Sequence, residues 1–377
     1  MDFILPESGE DVRGLARDIA TKISTQQRVA DLEAERAPID DDLWRELASA
    51  GLLGLEIPSS LAGERGGDLT AIENSVVAEE LGRALARVPF VAHAFTALPV
   101  IAAHGSATLR DMTLGAGAGG ELVVSIAFEE DLGVEPLAPS TTTNRHALSG
   151  TKVGVPYAQA ADLLLVNALG PDGPVVVAVR TDAAGVAITP TISTGLVPTA
   201  QVDFTGVEIS DDDILDGGGA AVTDVVNRFT LAICAEQTGI ISRALELTAE
   251  YAREREQFGR AIGSFQAVAQ RLADGYIDVQ GLSLTTTQAA WMLSGSGTDS
   301  AASDTELRTA IGTAKFWAAE AGHRVAHTTV HVHGGVGLDT SHPVHRYFLR
   351  AKQNEFTLGC APVVLRAIGA DLAARPV

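Results

Sequence analysis

The chain has 377 residues, with 27 Lys+Arg against 48 Asp+Glu for a formal net charge of −21, and 46% of its residues are hydrophobic against 20% charged. That composition can bury a large core and excludes a disordered chain, while the negative charge argues against nucleic acid or an anionic membrane surface as a partner. Cys234 and Cys360, the only cysteines, are too few for a disulfide framework and suit a reduced, cytoplasmic setting.

The opening Met1-Asp2-Phe3-Ile4-Leu5-Pro6-Glu7 lacks the basic and apolar regions of a signal peptide, and no unbroken run of 18 apolar residues follows. A protein that is neither exported nor membrane-spanning is expected. Apolar residues then fall at helical spacing, as in Leu43-Trp44-Arg45-Glu46-Leu47-Ala48 and Val76-Val77-Ala78-Glu79-Glu80-Leu81, with glycine stops between them. Residues 1–118 read as an N-terminal helical domain. From about residue 120 the texture changes to short β-branched runs, Leu122–Ile126, Leu163–Val166, Val175–Val179, Val186–Ile188 and Gln201–Phe204. No helical period lies between them to support a parallel βαβ sheet, so residues 119–218 read as a small sandwich or barrel. After Asp211-Asp212-Asp213 and Gly217-Gly218-Gly219 the helical period returns and holds over 219–377, broken chiefly at Gly295-Ser296-Gly297-Thr298. The fold class is α+β, in the order helical, β, helical.

Four segments invite a chemical reading. Gly115-Ala116-Gly117-Ala118-Gly119-Gly120 satisfies G-x-G-x-x-G, but a dinucleotide site needs that loop after a strand and before a helix. The order here is the reverse, so a flexible linker is expected. His323, His327 and His331 share one helix face, yet no carboxylate or cysteine at ligand spacing completes a metal site, and packed histidines are expected. Arg253-Glu254-Arg255-Glu256-Gln257-Phe258-Gly259-Arg260 concentrates positive charge suited to a pyrophosphate, and equally suited to charge pairs at a solvated helix end. His331-Val332-His333-Gly334-Gly335-Val336-Gly337 carries three glycines in four positions, more than a helix cap requires, and lets backbone amides approach a ligand.

The last two segments carry a resemblance. Tyr251 through Gly259, then Phe265-Gln266-Ala267-Val268 and Leu272-Ala273-Asp274, resembles the signature helix of the acyl-CoA dehydrogenases. His333-Gly334-Gly335-Val336-Gly337 with His342-Pro343-Val344-His345-Arg346-Tyr347 resembles their second C-terminal signature, and Leu43-Trp44, Gly51 to Gly54, Pro58, Gly63 and Glu79-Glu80-Leu81-Gly82-Arg83 follow the N-terminal pattern in order. The resemblance implies an acyl-CoA dehydrogenase fold: a helical domain, a middle β-barrel or sandwich and a C-terminal four-helix bundle. It also implies FAD, a glutamate that takes the α-proton of an acyl-CoA thioester, and an electron-transfer flavoprotein as electron acceptor.

Here the chain departs from the pattern. The Glu-Gly pair that carries the base falls on Leu358-Gly359, and leucine accepts no proton, so no catalytic residue is assigned. Glu355 and Glu236 are the candidate relocated bases. The flavin-ring stretches correspond to Ala127-Phe128-Glu129-Glu130-Asp131-Leu132-Gly133 and Lys152-Val153-Gly154-Val155-Pro156, without the threonine and tryptophan contacts of the family. What is retained implies an FAD site shared across subunits, in which Arg255, Gln257, Phe258, Gln266, His331, Gly334, Gly335 and Gly337 hold the ADP half of a flavin whose ring sits in a neighbour. The tract Phe265 to Gly281, with Ala289-Ala290-Trp291 and Phe316 to His323, resembles the non-catalytic β subunit of bacterial α2β2 steroid-CoA dehydrogenases acting on cholesterol side chains. The implied partner is a homologous catalytic α subunit that holds most of the steroid-CoA substrate. Two alternatives stand beside this: a self-sufficient homotetramer with a relocated base, and a scaffold that binds no flavin.

Overall fold

The computed structural model describes residues 3–130, 135–295 and 303–374. The expected break at Ser296 to Thr298 and the ring-side positions Asp131 to Gly133 lie outside the described residues.

Seven helices lead: α1 (Glu7–Ile23), α2 (Gln26–Glu35), α3 (Asp41–Ser49), α4 (Ser59–Ala62), α5 (Ala71–Arg83), α6 (Leu98–His104) and α7 (Ala107–Ala118). Their starts are set by side-chain caps that satisfy free amides, with Thr25, Asp40 and Ser106 opening α2, α3 and α7. Thr70 and Glu73 form a reciprocal capping box on α5. The glycine run Gly115 to Gly119 is not a linker. It forms the last turn and cap of α7, where the Arg65 guanidinium donates to the Gly115 carbonyl (2.8 Å) and a Cβ on Gly117 would meet Leu98. Small residues serve packing there, which their composition alone does not reveal.

The middle of the chain is a single seven-stranded sheet built from β1 (Val124–Ala127), β2 (Thr142–Thr143), β3 (Ala147–Pro156), β4 (Leu163–Gly170), β5 (Gly173–Arg180), β6 (Val186–Thr191) and β7 (Thr199–Glu208). The order is β1-β4-β2-β3-β7-β6, with β5 also on β4. β1 and β2 both run parallel to β4, with Val124 opposite Leu163, although no helix among the described residues lies between them. The absence of a helical period therefore excluded βαβ units but not parallel pairing.

The C-terminal part contains the long helix α8 (Gly219–Glu254), a tight hairpin of β8 (Glu256–Gln257) and β9 (Arg260–Ala261), then α9 (Gln266–Leu293), α10 (Asp304–His333), α11 (Val344–Phe356) and α12 (Ala361–Ala373). Two continuous cores run between the parts. One joins Trp44, Leu81, Phe90, Leu164, Leu231 and Tyr347, and the other joins Leu98, Ile126, Leu165, Val225 and Phe229. The segment Val344–Ala373 contains an 18-residue window of mean hydropathy 1.4, enough by length and composition to cross a membrane. It is split into two helices by a sharp break, where Leu358 (φ 55°) and Gly359 (φ 105°) take left-handed backbone.

Candidate functional site

The charged end of α8 folds back at once. Glu256 pairs with Ala261 and Gln257 with Arg260 across a two-residue turn in which Phe258 (φ 54°) and Gly259 (φ 78°) are both left-handed, the geometry of a type I′ hairpin. Glycine accepts that backbone freely, whereas Phe258 bears its steric cost and leaves its ring 93% exposed. The Arg260 guanidinium lies 4.0 Å from the centre of the Phe265 ring, and Phe258 meets the same ring edge-on at 6.2 Å. Arg255 caps α8, is exposed, and has no ion-pair partner among the described residues. Gln266 is the exposed first residue of α9, whose first turn has no side-chain cap.

A ring stack brings the glycine turn to the same end of the bundle. Tyr251, one turn before Arg255, lies 4.4 Å from the ring of His333, the last residue of α10. Gly334 follows at φ 61°, and a Cβ at Gly334 or Gly335 would meet open space. Gly337 is packed instead, since a Cβ there would crowd the Val330 carbonyl at 2.8 Å. His331 is exposed. His333 is buried, donates from Nδ1 to the Thr329 carbonyl (2.8 Å), and leaves Nε2 without a partner. The Gln257 amide donates to the Glu256 carbonyl (2.8 Å), and together with the unpaired Arg255 guanidinium, the exposed Gln266, an outward aromatic ring and an open glycine turn it forms a donor set suited to a pyrophosphate and an adenine ring.

The ring-side positions lie elsewhere. Lys315, which touches the α11 terminus, precedes His333 by 18 residues on α10, about 27 Å along a straight helix. The Glu129 carboxylate accepts from the Leu358 backbone N–H at 2.8 Å, tying the loop after β1 to the break between α11 and α12. Burial pushes the Glu129 carboxyl above its ordinary value, against the pull of that N–H and of Lys315. The Lys315 ammonium is wholly buried and donates to the carbonyls of Asn354 (2.7 Å) and Glu355 (3.3 Å), and burial holds it at about 8. The loop bearing Glu129 is fixed through Glu130. Burial disfavours the Glu130 carboxylate, but Lys152 Nζ (2.6 Å) and donors from Ser140 and Thr141 outweigh this and hold it at about 2. Lys152 also donates to Asn167 (2.7 Å), and burial brings it down to about 8. The Val153 N–H donates to the Glu129 carbonyl (2.9 Å), so the two ring-side stretches are adjacent.

Both candidate relocated bases are engaged. Glu355 pairs with Lys352 and His323, and Glu236 with Arg350 (3.3 Å) and the Asn354 amide (2.8 Å). The His323 and His327 rings lie 4.4 Å apart, tilted by 41°, and no group of three His, Cys, Asp or Glu among the described residues is arranged to hold a metal. Sequence reading missed Glu129 as the group facing Leu358. The signal was present, since an acidic residue stood where the family has a hydroxyl, but its partner lies 229 positions away.

Sequence models of the acyl-CoA dehydrogenase N-terminal domain and C-terminal domain match residues 6–121 and 216–373. Acyl-CoA dehydrogenase FadE27 of Mycobacterium tuberculosis is 42% identical to this chain over 376 residues, covering 100% of both. This chain belongs to the acyl-CoA dehydrogenase family. The crystal structure of the ChsE4-ChsE5 complex from Mycobacterium tuberculosis superposes with a TM-score of 0.91 at 41% identity over 100% of both chains. A variant of the Tcur3481-Tcur3483 steroid ACAD superposes with a TM-score of 0.89 at 38% identity over 98% of each. FAD is the cofactor of acyl-CoA dehydrogenases, and two of these close neighbours are heteromers. This acyl-CoA dehydrogenase chain offers residues that fit the ADP half of FAD. The described ring-side residues, Ala127 to Glu130 and Lys152 to Pro156, include no hydroxyl or indole, and Glu129 accepts from the Leu358 N–H.

Proposed function

We propose that this chain is the β subunit of a cytoplasmic, heteromeric FAD-dependent acyl-CoA dehydrogenase that introduces an α,β double bond into a steroid side-chain CoA thioester. The observation that carries the reading is the division of the molecule: an exposed ADP-binding set at one end of α10, and a closed ring side about 27 Å away. A cofactor held by the hairpin and glycine turn would be anchored at the end of the bundle remote from this chain's own Leu358. The partner is then a homologous α subunit that supplies the base and most of the substrate pocket. The flavin supplies a hydride acceptor when bound.

In this reading Arg255 donates a guanidinium fork to the pyrophosphate, Gln257 and Gln266 add amide donors, and Phe258 covers the adenine. The amides of Gly334 and Gly335 line the phosphate path, Gly337 shapes the turn by packing, and His331 adds an imidazole contact. Leu358 takes the place of the base, and the domains divide at 1–118, 119–218 and 219–377. An electron-transfer flavoprotein accepts the electrons. The steroid substrate is supported by the likeness to the Tcur3481-Tcur3483 steroid ACAD and the two-protein assembly by the ChsE4-ChsE5 complex.

Co-expression with the partner, followed by flavin absorbance per mole of protein, tests the proposal. One FAD per αβ pair is expected, with none in this chain alone, and Arg255→Ala should lower the flavin content of the assembled complex at least tenfold. Flavin and turnover in the isolated chain would overturn it. Undiminished flavin in the Arg255→Ala complex would favour a scaffold that binds no cofactor.

A further inference from the structure

Where the three parts of the molecule meet, three guanidiniums surround a void of about 10 Å³. Arg87 follows α5, Arg346 and Arg350 lie on α11, and the Leu196 loop between β6 and β7 closes the fourth side. Glu33 of α2 also lines the void, with its carboxylate bound to Arg346 Nε at 2.7 Å. Arg350 binds Glu236 at 3.3 Å. Arg87 is 8% exposed, donates only to the carbonyls of Ala37 and Leu196 (both 2.7 Å), and has no carboxylate partner among the described residues.

Three arginines against two carboxylates leave one positive charge in excess. Arginine cannot shed its proton to escape burial, and an uncompensated buried charge is costly. Arg350 Nε is moreover a buried donor without an acceptor. A deficit of charge and a deficit of hydrogen bonding therefore both belong to arginines that line this space. Both Leu85 (φ 51°) and Leu196 (φ 60°), on its walls, hold left-handed backbone at a steric cost that a filled site would help to offset.

We propose that this void binds a small monovalent inorganic anion, of which chloride is the type, and that the ion pins the helical parts to the β-sheet. A water molecule would satisfy Arg350 Nε but leave the charge unmatched. The void admits a sphere of about one water's size. The assignment is independent of the flavin reading.

Thermal unfolding of the purified protein, with its partner where one co-purifies, should be followed at constant ionic strength as gluconate is exchanged for chloride or bromide. A saturable rise of about 1–3 °C is expected. Crystals soaked in bromide should show an anomalous peak between Arg87 and Arg350. Arg87→Met, of similar length without charge, should abolish both the anion dependence and the peak while leaving flavin content unchanged. Should that variant fail to fold, the wild-type protein alone decides. A melting temperature that tracks ionic strength regardless of the anion, or a void without anomalous density in bromide, would overturn the site.

Discussion

His93 is held from two sides by groups that permit one protonation state. Its Nδ1 accepts the Val124 N–H (2.9 Å), so the proton resides on Nε2, which donates to the Gly117 carbonyl (3.0 Å). Burial, outweighing those two bonds, brings its pKa down to about 4. An unfolded chain takes up this proton near pH 6.5 and the folded chain only near 4, so His93's contribution is complete above pH 6.5. It is lost as the pH falls from 6.5 to 4, and the total is about 3 kcal/mol. Urea unfolding of His93→Gln should therefore show lower stability at pH 7.5 but a smaller further loss at pH 5 than the wild type. An unchanged pH dependence would contradict this account. The same imidazole joins the end of α7 to β1, so acidification loosens the seam between helices and sheet first.

At the scale of elements, α5 and α8 cross with almost no space between their backbones. A Cβ on Gly239 would strike the Glu79 carbonyl and one on Gly82 the Glu236 carbonyl, both atoms of rigid helix backbone that cannot turn aside. Gly239→Ala should thus cost roughly 1–3 kcal/mol, despite the better helix propensity of alanine. Gly14→Ala in α1, where nothing lies within 4 Å, should instead gain about 0.5–1 kcal/mol. Differential scanning calorimetry of the two variants gives opposite signs if the helices are in contact as described. Element types were largely legible in the sequence, because amphipathic spacing survives over helices as long as α8 and α10. Pairings were not. The parallel partners of β4 and the role of Gly117 against Leu98 depend on residues far apart in the chain, and periodicity carries no information about which strand lies beside which. The candidate cofactor residues were legible because they cluster within two short segments. Glu129, Lys315 and the arginine-lined void were not, because each needs three separate elements to exist.

On the scale of the whole molecule, apolar side chains remain uncovered along one helix and around the break. Tyr276, Ile277 and Leu284 on α9 are each about half or more exposed, as are Phe356, Leu365 and Leu372 near and on α12. Apolar patches of this kind mark contact surfaces. If α9 carries the heteromer contact, Ile277→Asp should prevent co-purification of the partner while leaving far-ultraviolet circular dichroism unchanged. Light scattering on the isolated wild-type chain should report species larger than a monomer. Retention of the partner by Ile277→Asp would place the contact elsewhere.

The embrace of α5 by α8 also sets a timetable. The Tyr347 hydroxyl donates to the Arg83 carbonyl across 264 positions, and α8 begins about 140 residues after α5 ends. At ribosomal speeds of 5–20 residues per second, the apolar face of α5 waits on the order of ten seconds for its cover. During that interval the nascent helices carry a surface that the finished protein never displays. Their yield in a cell then depends on how fast translation proceeds and on what shields them meanwhile.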